Sequence, residues 1–243
     1  MLQTVIQALL SLNGSLFFAI NAPAGHTPVL DHTMPLLAED AILLFPVLIL
    51  LLWWIPGGRD PAASSARSVS REAAIWAIVA ALLALALNVL MGTLIPESRP
   101  FVAWPTLDHQ LVSHAADASF PSDHAAISFA IVGVLLIRFW LAYHVPARPP
   151  VESSPKSAQG LPALSSTARS GLRWRTGLLA ALGLLLAIAI GYARVYVGIH
   201  YPFDILGGAM IGLLAAWVVS LARGLLRPVA RLAESVAHRA HLA

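Results

Sequence analysis

The feature that most constrains this chain is a series of apolar stretches, each long enough to cross a lipid bilayer and each bounded by short polar segments. A spanning helix needs roughly 20 mostly apolar residues. That requirement picks out five segments, at about 36–56, 72–95, 123–145, 174–193 and 203–223. With 58% hydrophobic and only 11% charged residues, the chain carries more apolar surface than a soluble core of its length could bury, so lipid must cover the remainder. The expectation is an all-α, polytopic membrane bundle. Residues 3–20 are apolar but interrupted by Gln3, Thr4, Gln7, Ser11, Asn13 and Ser15, a pattern that suits a helix lying in the interface, with a sixth span as the alternative. The N-terminus shows no basic n-region or small-residue cleavage signature, so no removed signal peptide is expected.

Orientation follows from the positive charges, because cytoplasmic loops near spans retain Lys and Arg. Of the 15 Lys and Arg residues, Arg59, Arg67 and Arg71 lie between the first two spans. Arg138, Arg148, Lys156, Arg169, Arg173 and Arg175 lie at or beyond the far end of the third, and Arg223, Arg227, Arg231 and Arg239 follow the fifth. All fall on one side, and only Arg99 and Arg194 fall on the other. The pI near 9.8 is explained by this topology, and no nucleic-acid partner is expected. The Pro- and Ser-rich stretch 146–172 reads as a flexible cytoplasmic linker within a domain of residues 1–225, and 226–243 as a basic cytoplasmic tail.

Three clusters meet at the outer ends of the second to fifth spans: Glu97-Ser98-Arg99-Pro100, Phe120-Pro121-Ser122-Asp123-His124, and Arg194 through His200 to Asp204. Singly they are weak, since Pro-Ser-Asp before an apolar run is usually only a helix start. Their joint position, with the two outer arginines embedded in them, points to oxyanion chemistry. Guanidinium groups match phosphate oxygens bidentately, so Arg99 and Arg194 form a phosphate clamp. Ser122 is placed to cap the third span, where unpaired N–H groups and the positive dipole end favour an anion. His200 and Asp204 are one helical turn apart, and Pro202 suits the first turn of the fifth span. A carboxylate that holds one ring nitrogen leaves the other free as a nucleophile. His200 would then attack phosphorus while His124 donates a proton to the departing oxygen. Two arginines and a helix terminus supply the charge neutralisation that phosphoryl transfer needs, so neither metal nor cofactor is expected. With no cysteine in the chain, thiolate chemistry is excluded.

The same residues, as Ser-Arg-Pro at 98–100, Pro-Ser-Asp-His at 121–124 and Arg-x5-His-x3-Asp from Arg194, resemble the signature of the type 2 phosphatidic acid phosphatase (PAP2) superfamily. Ser-Arg-Pro-Phe-Val, Ser-Phe-Pro-Ser-Asp-His and the N-terminal Leu-Asn-Gly look most like its bacterial undecaprenyl diphosphate phosphatases of the bacitracin-resistance type. The resemblance implies that Arg99, Ser122 and Arg194 surround the phosphate, that His124 is proton donor, that His200 becomes phosphorylated and that Asp204 supports it. It implies hydrolysis of undecaprenyl diphosphate to undecaprenyl phosphate and inorganic phosphate, in a bacterial cytoplasmic membrane with the site facing outward. Phosphatidylglycerol phosphate or phosphatidic acid are alternative substrates, and a lipid-phosphate binding or transport protein is the rival of another class. Two positions depart from the pattern: Gly92 stands where a lysine usually opens the first motif, and Asp123, counted here among the substrate-binding residues, replaces a common glycine.

The remaining polar residues are weaker candidates. Glu97 could fix Arg99 or protonate a leaving group, and Asp108, His109, His114 and Asp117 have spacing that suits no particular metal site. Trp53 and Trp54 read as an aromatic belt, Arg138 as a snorkelling side chain, and Gly208 with Gly212 as a small-residue packing face.

Overall fold

A computed structural model of the chain describes residues 1–54, 61–144 and 166–224, with positions 228, 232, 235 and 236 beyond them. The elements are α1 (Leu2–Asn21), α2 (Pro28–Glu39), a 3-10 turn (Ala41–Leu43), α3 (Leu44–Trp53), α4 (Pro61–Leu94), α5 (Pro100–Ala103), α6 (Asp123–His144), α7 (Ser166–Tyr196) and α8 (Pro202–Leu221). No strand occurs among the described residues, as hydrocarbon requires of a chain that cannot close a barrel: only a helix satisfies its backbone polar groups within one segment. Most of the expected linker at 146–172 and of the basic tail at 226–243 lies outside the described residues; where description resumes, at Ser166, the chain is already helical.

Among the described residues, five helices are long and apolar enough to cross a bilayer: Gln3–Asn21, Ser70–Leu94, Asp123–Leu141, Trp174–Tyr196 and Pro202–Leu221. The last four coincide with expected spans. The span expected at 36–56 is instead the second half of a bent pair, Pro28–Glu39 and Ala41–Trp53, turned by 47° at Asp40. Pro46 has no N–H to offer the Ile42 carbonyl, so the backbone tightens into the 3-10 turn at 41–43 rather than running on as one helix. In α1 the polar residues divide. Gln3, Thr4, Gln7, Ser11 and Ser15 are exposed, whereas Asn13, Phe17 and Asn21, spaced by four, are buried against the bundle. Asn13 accepts the Phe203 N–H at 3.0 Å, satisfying one of the free donors at the start of α8.

α6 is the central helix and packs on α4, α7 and α8. Its core is built on Trp76, Phe45, Ile131, Leu135 and Ile190 together with many alanines, among them Ala80, Ala126, Ala130, Ala187 and Ala215. Small side chains let helix backbones approach closely where no water drives association. Gly208 and Gly212 are the packing face expected of them: a Cβ at either would collide with α6 backbone, at Ser122 and Ala126 respectively. That close approach sets the start of α8 beside the start of α6.

At the opposite end from these starts lie Trp53, Trp54, Arg71, Arg138 and Arg175. Arg138 does not snorkel. Its guanidinium stacks 4.7 Å over the Trp76 ring and reaches Glu72 at 3.4 Å, with 10% of the side chain exposed, because a carboxylate and an aromatic face inside the bundle offer partners that hydrocarbon does not.

Candidate active site

The ends of α4, α6, α7 and α8 converge at one face, and each contributes a polar side chain by a local feature of the sequence. α7 ends at Tyr196 and α8 begins at Pro202, so the chain reverses within a few residues. Gly198 allows this with φ +84°, and a side chain there would also press on the Asp108 carboxylate. Pro202 opens α8 and Asp204, its third residue, accepts the Tyr201 N–H at 2.8 Å. The capping bond therefore holds the carboxylate that also faces His200, whose Nδ1 lies 3.3 Å from Asp204 Oδ2.

Two guanidinium groups converge on the other ring nitrogen. Arg99 Nη1 lies 3.3 Å and Arg194 Nη2 3.1 Å from His200 Nε2. Guanidinium nitrogens only donate, so Nε2 must be the acceptor and the ring proton must sit on Nδ1, toward Asp204. Burial, then the charges of Arg194 and Arg99, hold His200 well below the usual imidazole range. The arrangement is thus a neutral imidazole with an in-plane lone pair aimed between two cations.

Arg194 is buried and shared. Nη1 donates to the Ala38 carbonyl at 3.2 Å and lies 3.4 Å from His124 Nε2, while Nη2 also lies 3.4 Å from His114 Nε2. The bend between α2 and α3 is what brings the Ala38 carbonyl here, and His124 also reaches the main chain of Glu39. Arg99 Nη1 donates to the Ile199 carbonyl at 2.9 Å and its Nε to Asp117 at 2.7 Å. Burial would raise Asp117, but the hydrogen bond and charge of Arg99 outweigh it and hold the carboxyl below its ordinary value. Ser122 is fully buried and its N–H donates to the Asp204 carbonyl at 3.1 Å. The Ser122 Oγ and the Arg194 Nε have no hydrogen-bond partner among the described residues, which leaves both able to donate to an anion.

The seven expected site residues, Arg99, Ser122, Asp123, His124, Arg194, His200 and Asp204, therefore lie at one end of the bundle, and all but Asp123 share hydrogen-bonded or ionic contacts around Arg194, His200 and Asp204. Asp123 is set apart: it is exposed and its carboxylate accepts the Asn88 amide at 2.6 Å rather than an arginine. Gly92 faces the loop, its added Cβ falling 3.5 Å from the Phe120 carbonyl and 3.9 Å from Ala118.

Sequence reasoning passed over Ser119, Asn88 and the pairing of His114 with Asp117. Ser119 is buried and donates to Asp204 Oδ2 at 2.5 Å. Its sequence neighbour Phe120-Pro121-Ser122 was the only signal. The loop between α4 and α6 is tied down along its length: the Asn21 amide donates to the His109 and Tyr196 carbonyls at 3.0 and 2.9 Å, Trp104 Nε1 donates to the Tyr201 hydroxyl at 3.1 Å, and Ser98 pairs with Ala118. Within it, Glu97 is pushed up to about 7 by burial and by the nearby Asp204 charge, and Asp108 to about 7 by burial, neither of its oxygens having a hydrogen-bond partner among the described residues. Among the described residues no group of three or more His, Asp or Glu is arranged to hold a metal ion.

A family model described as the PAP2 superfamily matches residues 73–227. The undecaprenyl-diphosphatase BcrC of Bacillus subtilis (strain 168) is 30% identical over 232 residues, covering 94% of this chain and 95% of that one. Two solved structures share the fold. LpxE of Aquifex aeolicus superposes with a TM-score of 0.53 at 24% identity, covering 86% of this chain and 94% of that chain. A transmembrane PAP2 type phosphatidylglycerolphosphate phosphatase from Bacillus subtilis superposes at 0.55 with 17% identity, over 88% of this chain and 85% of that chain.

Proposed function

This chain belongs to the PAP2 superfamily, and from that premise we propose that it hydrolyses undecaprenyl diphosphate to undecaprenyl phosphate and inorganic phosphate through a phosphohistidine on His200. The observation that carries the reading is the pair of guanidinium groups converging on His200 Nε2 while Asp204 faces Nδ1. A terminal phosphoryl group held by Arg99 and Arg194 lies against that lone pair, with Ser122 Oγ and the start of α6 as further donors. Nε2 attacks the terminal phosphorus and the bond to the bridging oxygen breaks. The departing lipid phosphate takes a proton from His124, and Asp204 stabilises the N-phosphorylated imidazolium. Water then attacks the phosphohistidine, His124 accepts its proton, and inorganic phosphate leaves.

The BcrC relative is named for this substrate, and its similarity spans nearly both chains. A lipid with a buried polyprenyl tail and an aqueous diphosphate also suits a site at the ends of membrane helices. Arg71, Arg138, Arg175 and Arg223 stand toward the other end of α4, α6, α7 and α8, so the charge rule turns the site outward from a bacterial cytoplasmic membrane. Purified protein in detergent with chelator should release one phosphate per undecaprenyl diphosphate, and His200→Ala should abolish release while retaining lipid binding. Release by the variant at the wild-type rate would remove His200 from the reaction. Preference for a glycerol-based monoester would overturn the substrate.

A further inference from the structure

Three imidazoles surround one guanidinium, yet the reaction above employs only two. Arg194 Nη1 faces His124 Nε2, and its Nη2 lies between His200 Nε2 at 3.1 Å and His114 Nε2 at 3.4 Å. The third imidazole repeats the arrangement of His200. Its Nδ1 is turned toward a carboxylate, Asp117 at 3.8 Å, and the Ala115 carbonyl at 3.2 Å, and its Nε2 is turned toward Arg194. Asp117 is in turn fastened to Arg99 at 2.7 Å, so His114 is braced against both arginines of the site from a loop that sequence spacing alone left unassigned.

Depth separates the two rings. The His200 side chain is 2% exposed and the His114 side chain 24%, which places His114 outward of the nucleophile, at the mouth. In-line displacement puts the leaving oxygen on the side of phosphorus opposite the attacking nitrogen. A phosphoryl group seated against His200 therefore directs its leaving group toward the mouth. For a monoester that group is an uncharged alcohol once protonated. For a diphosphate it is a second phosphate, whose charge needs its own partner.

We propose that His114, oriented by Asp117, binds the leaving phosphate of a lipid diphosphate through Nε2, which takes up a proton and turns from acceptor to donor when the phosphate replaces Arg194 Nη2 as its partner, and so makes the site selective for a phosphoanhydride over a phosphomonoester. The proposal rests on the reading of the chain as a lipid diphosphate phosphatase and names the side chain that sets its substrate class. Arg194 then spans the two phosphates, its Nη2 between the ring that attacks and the ring that holds the departing group.

The test uses the full chain in detergent: wild type, His114→Ala and His114→Gln, with turnover of undecaprenyl diphosphate and competitive inhibition by inorganic diphosphate and by orthophosphate. For His114→Ala, the KM for the lipid and the inhibition constant for inorganic diphosphate should each rise about tenfold or more, the loss of one hydrogen bond to a charged group. The constant for orthophosphate, which fits the inner cradle alone, should stay within about twofold. His114→Gln, which keeps an N–H donor at nearly the same reach, should recover most of the loss. An equal rise for both inhibitors, or no rise for either, in an active enzyme would overturn the role of His114 and leave the phosphatase reading standing. A wild-type enzyme that releases no phosphate from the lipid would overturn that reading, and the inference with it.

Discussion

Gly208→Ala should damage the reaction without touching a reacting group, because it acts on the contact that brings α8 to α6. A Cβ built at 208 falls 2.9 Å from the Ala125 Cβ and 3.1 Å from the Ala126 nitrogen, and closer still to the Ser122 carbonyl, where ordinary contact begins near 3.4 Å. The obstacle is backbone, which cannot rotate aside, so the helices must part by roughly 1 Å, a displacement that can cost about 100-fold when it reaches a reacting geometry. It does reach it. The Ser122 N–H to Asp204 carbonyl bond, now 3.1 Å, would open beyond hydrogen-bonding range, and Asp204 would move relative to His200. A fall of about 100-fold in kcat/KM corresponds to about 2.7 kcal/mol. Helix propensity works the other way, favouring alanine by about 0.5–1 kcal/mol, while overpacking costs about 1–3 kcal/mol. The net is on the order of 1 kcal/mol against the variant, a melting point lower by about 2–4 °C in a chain of this size. Phosphate release and thermal melting would be measured on matched detergent preparations, with Gly14→Ala as control, since nothing among the described residues lies within 4 Å of a Cβ at that position. Activity of Gly208→Ala within threefold of wild type would refute the link from packing to chemistry.

Ser119→Ala removes the 2.5 Å donor to Asp204 Oδ2; a hydrogen bond to a charged group is worth about 1.5–3 kcal/mol, so kcat should drop about 10- to 100-fold with KM nearly unchanged, and steady-state kinetics showing less than a twofold drop would dismiss the residue. Asp108, raised to about 7 in the fold from an ordinary 3.8, binds more protons folded than unfolded between those values, so stability should decline as pH rises through that window and level off above it. Melting curves of Asp108→Asn from pH 4 to 9 should be flatter than wild type, and parallel curves would contradict the assignment. Glu97, at about 7 beside Asp204, gains its charge as pH rises through neutrality and then repels an anionic substrate; Glu97→Gln should remove the resulting rise in KM above about pH 7, and an unchanged KM profile would exclude it.

Hydropathy and charge are properties of neighbouring residues, which is why the helices from Ser70–Leu94 onward, the small-residue face of α8 and the site residues at the helix ends were legible in the chain itself. Arg99 and Arg194 stood out because they break the charge asymmetry, and His200 with Asp204 because one helical turn separates them. What depended on the tertiary structure lies where residues distant in sequence meet. Pro46 turns an expected span into a bent pair whose Ala38 carbonyl holds Arg194. Glu72 and Trp76 draw Arg138 into the bundle. The loop between α4 and α6, anchored by Asn21 at the end of α1, delivers Ser119 to Asp204 and His114 to Arg194. A loop has no periodicity to reveal its inward face; the partners of its side chains exist only after the helices have packed, and those partners decide which of its polar residues can join the chemistry.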